Sequence, residues 1–259
     1  MKVYILRDKE YELRIFEYLL QIFIFAICCT TVVAQERAII STKFTKLKLT
    51  KNEEPYIAVI KLPHISGLRN KRIEGVINES LTLDQLFEIS IKEESERSWL
   101  QGVSYQVCYN RHSLLDIKIS LSGYGAYPDI MTQERVFDLR TGTMIKAQDL
   151  FFKNKLLSLA TLVNSALKHE CKKYAHINSK KYDESLDSMI DRYKGHRFTI
   201  SKLSNFTISD SGIIFNYDFE FPHVVEALEP PGKYYFTYRQ LTGMINSNGL
   251  LRDFLNPKH

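Results

Sequence analysis

The sequence predicts an α+β fold: a mainly antiparallel sheet packed against two or three helices, following an N-terminal signal segment. Three observations carry this. Short runs rich in Val, Ile, Tyr, Phe and Thr recur along the chain, several with alternating apolar positions. A few stretches show helical spacing of apolar residues instead, the clearest at 155–173. Strand and helix patterns are unevenly interleaved, unlike the regular alternation of a parallel βαβ sheet.

The 259 residues suit one or two domains with a sizeable core, and 44% hydrophobic and 25% charged residues are ordinary for a globular chain. The aromatic share of 12%, mostly Tyr and Phe, suits pleated, half-buried strands. The formal charge of +5 is mild, and Lys and Arg are interleaved with Glu and Asp rather than gathered into a stripe. No nucleic-acid partner is expected.

Residues 1–34 have the pattern of a signal peptide. Lys2, Arg7, Lys9 and Arg14 precede an apolar centre at 22–29, and Val32-Val33-Ala34 offers a cleavage site before Gln35. The apolar run is short for a bilayer span, which needs about 20 residues. A secreted, periplasmic or cell-envelope location follows, with membrane attachment only if the leader stays uncleaved. Two cysteines, Cys108 and Cys171, lie beyond the leader. In an oxidising compartment an even pair invites a disulfide, which would stabilise by roughly 3–4 kcal/mol. Two separate buried thiols are the alternative.

Taken in order, residues 41–50 alternate in part and suit a half-exposed strand. Residues 56–62 form a stronger, continuous strand, with Pro63 as its end. Ile73, Val76, Ile77 and Leu81 recur at helical spacing within 68–87, where Gly75 costs about 1 kcal/mol relative to Ala. Residues 88–98 are strongly charged and read as mobile. Residues 102–109 and 114–121 read as a hairpin turning at Asn110-Arg111-His112-Ser113.

The stretch 120–152 organises the rest of the chain: strand, Gly-rich turn, strand, tight turn, short strand, then the start of a helix. Gly142 supplies the positive φ that the turn after Asp138-Leu139 needs. In 155–173, Leu156, Leu159, Ala160, Val163 and Leu167 share one stripe, and Lys168, His169, Lys172 and Lys173 complement the C-terminal end of the helix dipole. A shorter helix is predicted over 183–193, strands over 198–206, 207–209, 212–221 and 234–238, and a closing helix over 239–245. Asp210-Ser211-Gly212 reads as a tight turn.

Four blocks carry a resemblance. They are Gly123-Tyr124-Gly125-Ala126-Tyr127-Pro128, then Phe137-Asp138-Leu139-Arg140-Thr141-Gly142 with Asp149-Leu150-Phe151, then 205–215, and last Pro230-Pro231-Gly232 with 236–241. Their order and spacing resemble the RsiV-like extracytoplasmic domain family. That family includes the lysozyme-binding domain of an anti-sigma factor and the non-catalytic domain of the peptidoglycan deacetylase PdaC. The chain carries Tyr127 where that family often has His. The resemblance divides the chain into the leader (1–34), an N-terminal α+β part (35–104) and an RsiV-like C-terminal domain (105–259). It implies a non-enzymatic binding module for a lysozyme-like protein or a peptidoglycan ligand. Few residues precede the apolar run, so signalling through a sigma factor is not expected.

Tyr124, Tyr127 and Asp129 are the candidate ligand-binding residues, because aromatics beside glycines in an irregular turn can anchor a partner. The alternative is that the two tyrosines cap the edge of the core. No catalytic residue, metal site or cofactor is expected. Ser165 and Lys168 match Ser-x-x-Lys, but the partner motifs of penicillin-binding enzymes are missing. His169, Cys171 and His176 would need a fourth zinc ligand. The basic run 168–181 suits a solvated face or an acidic partner. Glu226 and Glu229 flank Pro230-Pro231 without the facing geometry of a glycosidase pair. No Gly-rich phosphate loop, Gly-x-Ser-x-Gly elbow or CxxC pair occurs. Other readings are a cell-envelope enzyme with polar groups converging near 123–129, and a structural protein that binds through a sheet edge.

Overall fold

The structure is a computed structural model that describes residues 36–51, 54–87, 99–124 and 128–255. The leader, the charged segment 88–98 and Tyr127 lie outside the described residues. The fold is α+β, as its strand and helix patterns require. A five-stranded sheet runs in the order β1 (Ile39–Lys51), β2 (Glu54–Ser66), β3 (Trp99–Arg111), β4 (Leu114–Tyr124), β5 (Pro128–Asp138). A three-stranded sheet holds β6 (Phe206–Ile208), β7 (Gly212–Asn216) and β8 (Lys233–Thr237). All neighbouring strands pair antiparallel except β2 and β3.

Strand β2 runs through Pro63 to Ser66 instead of ending there. Pro63 lies past Val59 and Ile60, the two positions at which β2 meets β3, so only β1 flanks it and a missing N–H is tolerated. At the end of β2, Ile65 N–H donates to Asn78 Oδ1 (2.7 Å) and Asn78 Nδ2 donates to the Ile65 carbonyl (2.8 Å), tying helix to strand. Asn78 belongs to α1 (Lys71–Ser80), which Asn70 caps by accepting from Arg72 N (3.0 Å). The predicted helix 68–87 is therefore two: α1 stops at the Leu81-Thr82 turn, and α2 (Leu83–Phe87) follows. This helical crossover brings β3 back parallel to β2. Their junction needs Gly102: an added Cβ there would lie 2.4 Å from the Val59 carbonyl oxygen.

The β3–β4 hairpin turns on His112 and Ser113, both left-handed (φ 54° and 58°), within the predicted turn. β4 is the hinge of the architecture. Leu115, Ile117, Ile119 and Leu121 face one core, with Ile60, Ile77, Leu86 and Phe137. Leu114 joins the other core, with Val136 opposite Asp116 in register. A strand buried on both faces reads as the near-continuous apolar run Leu114-Leu115-Asp116-Ile117. The expected division at 104/105 falls inside β3, and Glu36–His259 forms one compact unit.

After β5, Gly142 (φ 76°) closes the turn, its N–H donating to the Asp138 carbonyl (2.8 Å). Arg140 clamps the same turn on the Asp138 carboxylate (2.9 and 3.1 Å). The short strand expected next is a single bridge, Phe137 to Met144, before α3 (Ala147–Leu150). Helix α4 (Leu156–Tyr182) runs well past the expected end at 173, and a left-handed Asp183 (φ 52°) stops it. Its buried row, Leu159, Val163, Leu167, Cys171, Ala175 and Asn178, packs with the small sheet in the second core. Helix α5 (Leu186–Tyr193) follows, and Asn178 Nδ2 reaches its Tyr193 hydroxyl (2.9 Å).

Residues 198–206 do not form the predicted strand; Ile200–Ser204 is a 3₁₀ turn. Ile200 faces solvent, while Leu203 and Phe206, three residues apart, face the core. β7 ends at Asn216, short of the expected 221; beyond it Phe219 N–H turns to the Glu229 side chain (3.3 Å) and Glu220 is left-handed (φ 53°). The closing helix is one turn, α6 (Tyr238–Leu241), fixed by a Thr237–Gln240 capping box; α7 (Arg252–Leu255) is the last element among the described residues.

Candidate functional site

Tyr124 ends β4 and is 41% exposed. Its register partner is Pro128, and Gly123 pairs with Asp129, so β4 and β5 stay paired up to either side of residues 125–127. Beyond it β5 is the last strand of its sheet among the described residues, with Ile130 67% exposed and Met131 also exposed. Opposite side chains in an antiparallel pair share a face. Ile130 therefore lies with Ser122 on one face, and Met131 with Leu121 on the other. This end of the hairpin presents three large apolar side chains and an open strand edge.

A second arrangement lies where the two sheets meet. Asp116 is fully buried (0% exposed), and its Oδ2 accepts from Ile208 N–H (2.8 Å). Its Oδ1 has no hydrogen-bond partner among the described residues. Burial pushes this carboxyl up to about 7, with the nearby Glu134 charge adding and the Ile208 N–H opposing. Glu134 on β5 accepts from Thr207 Oγ1 (3.1 Å) and from Asn216 Nδ2. Together Asp116 and Glu134 hold β6 and β7 against the large sheet. Tyr109 adds a link, donating to Asp210 Oδ1 (2.9 Å), and Arg111 pairs with the same carboxylate (2.9 Å). The raised carboxyl is sealed from solvent and serves packing. The sequence signal for it was available: one Asp inside the apolar start of β4, Leu114-Leu115-Asp116-Ile117.

Cys108 and Cys171 are free thiols. Cys108 sits at the register shift between Val107 and Tyr109 on β3, and Cys171 on the buried row of α4. Burial pushes both up to about 11, Asp116 adding at Cys108 and Glu170 at Cys171. His169 and His176 lie on exposed rows of α4 while Cys171 faces the core, so the three donors diverge. Among the described residues no group of three His, Cys, Asp or Glu could hold a metal ion. Ser165 Oγ donates to the Thr161 carbonyl (2.9 Å) on the helix surface. Glu229 accepts from Phe219 N–H, whereas Glu226 pairs with His223 (2.8 Å). No described helix is long and apolar enough to cross a membrane.

The protein thus falls into a class: a five-stranded sheet and a small three-stranded sheet, with a long helix sharing the second core. Two solved structures have a similar fold. One is a member of the DUF3298 family from Bacteroides fragilis, 14% identical, with a TM-score of 0.55 over 85% of this chain and 98% of that one. The other is a DUF3298 family protein from Pseudomonas aeruginosa PAO1, 13% identical, with a TM-score of 0.57 over 83% of this chain and 97% of that one. At such identities the likeness concerns the fold. No family model and no curated protein matches the sequence.

Proposed function

We propose that the protein is an extracytoplasmic binding module without enzymatic activity, which engages a lysozyme-like protein at the open end of the β4–β5 hairpin. The observation that supports this most is the exposed strand edge of β5, with Tyr124, Ile130 and Met131 around it. Aromatic and apolar anchors beside free backbone groups suit strand-edge recognition of another protein. The RsiV-like resemblance supplies the ligand class, and the leader pattern supplies the compartment.

Calorimetric titration of lysozyme, and separately of soluble peptidoglycan fragments, into the purified protein tests the reading. Saturable binding of lysozyme is expected, weakened about tenfold by Tyr124→Ala as for an interface anchor. Binding of the glycan fragments alone would move the module to a cell-wall ligand. Binding of neither, or turnover of either that one polar substitution abolishes, would overturn the reading.

A further inference from the structure

The outer half of the β1–β2 hairpin exposes a face on which apolar and cationic side chains alternate. Opposite residues of an antiparallel pair share a face, and every second residue along a strand returns to it. The register Phe44↔Lys61, Lys46↔Val59, Lys48↔Ile57 therefore gathers six side chains on one surface. Lys46 Nζ lies 6.0 Å from the centre of the Phe44 ring, as that placement requires. Phe44 and Ile57 are 54% and 57% exposed, and Lys46, Lys48 and Lys61 are exposed beside them. The opposite face of the same stretch carries Leu47, Leu49, Tyr56, Ala58 and Ile60, which pack in the first core, so Phe44 and Ile57 stand outside it. The charge on the exposed face has one sign. β1 has no carboxylate, and Glu54, the only one on β2, stands on the opposite face beside the turn. Among the described residues none of the three lysines forms an ion pair. Across β3 and β4 the same face continues with Gly102, Ser104, Ser120 and Ser122, which are neutral. Lysines on an outer strand discourage pairing with another edge. That accounts for the charges but not for two large apolar side chains left in water between them.

We propose that this face rests on the surface of an anionic lipid bilayer. The ammonium groups of Lys46, Lys48 and Lys61 meet the headgroup phosphates. Phe44 and Ile57 enter the boundary between headgroups and acyl chains, with the aliphatic stems of the lysines alongside. Charge complementarity selects a negative surface. A soluble polyanion would take the lysines but leave Phe44 and Ile57 in water, whereas a bilayer takes both. Each lysine at such a surface strengthens the partition about fivefold, and the apolar side chains add in proportion to the area they bury. The contact stays in the interface and needs no membrane-spanning segment.

The experiment is co-sedimentation with lipid vesicles, using the compact unit Glu36–His259 so that the leader adds no lipid affinity of its own. Vesicles of phosphatidylglycerol and phosphatidylcholine in equal parts are compared with vesicles of phosphatidylcholine alone. Partition onto the anionic vesicles is expected to be at least about tenfold stronger, and to weaken as salt is raised. Lys46→Gln with Lys48→Gln and Lys61→Gln should lower it at least about tenfold. Phe44→Ser with Ile57→Ser keeps the charge and should lower it about fivefold or more, while binding to soluble poly-glutamate stays as in the parent. All five changes fall on exposed side chains. If the apolar pair fails to fold, Ile57→Ser alone takes its place. Equal sedimentation with both kinds of vesicle, none with the anionic ones, an unaffected lysine variant, or an apolar variant that binds vesicles like the parent would each overturn the proposal. Lysozyme titration tests the β4–β5 hairpin, so either result can stand without the other.

Discussion

Replacing Asp116 with Asn isolates the buried carboxyl that joins the two sheets. In the folded chain this group is pushed from 3.8 up to about 7, first by burial. Between those values the folded form keeps a proton that the unfolded chain has released. Its stabilising effect is thus complete below the unfolded value, falls as pH rises through the window, and is gone above about pH 7. At 1.36 kcal/mol per unit, the loss between about pH 5 and pH 8 is about 2–3 kcal/mol. Asn keeps an oxygen to accept from Ile208 N–H but has no proton to lose. Its amide brings a separate desolvation cost that does not vary with pH, so the informative quantity is the difference between the two conditions. Urea unfolding of both proteins, followed by circular dichroism at about pH 5 and pH 8, measures it. The variant should gain about 2–3 kcal/mol on the parent between the two conditions. The same stability difference at both pH values would show that Asp116 is not raised, and the junction would need another account.

Two further outcomes follow from the fold. Gly102→Ala places a Cβ 2.4 Å from the Val59 carbonyl, so the β2–β3 junction must open, at a cost of about 1–3 kcal/mol in denaturant unfolding. With Cys108 and Cys171 unbridged, adding dithiothreitol should leave the melting temperature unchanged. A drop of several degrees would reveal a disulfide worth a few kcal/mol.

Much of the fold was legible because it rests on local patterns. The alternation of β1, the continuous apolar run of β2, the place of the turn after β3 (read as 110–113, formed by His112 and Ser113) and the Gly142 turn are each written in neighbouring residues. The stripe of α4 was equally plain, although its length was underestimated. Beyond residue 173 its buried positions are Ala175 and Asn178, and Asn178 is buried because Tyr193 and the Leu228 carbonyl receive its amide. No local signal announces such a partner. The candidate site divides in the same way. Tyr124 was identifiable as an aromatic beside glycines, but the exposure of Ile130 depends on β5 being the outermost strand. The basic run of α4 was visible in sequence; Lys194 and Arg197 come beside Lys168 and Lys172 only through the packing of α5 on α4.

By itself, the order of residues determined the class of fold, most of the turns and the places where strands begin. Those features depend on backbone propensity and on the period at which apolar side chains recur, both set within a few positions of the chain. The tertiary structure alone decided that β4 serves two cores, that Asp116 is fully buried, and which cations gather between α4 and the end of α5. Each of these joins residues far apart in sequence, and burial is a property of what covers a side chain rather than of the side chain itself.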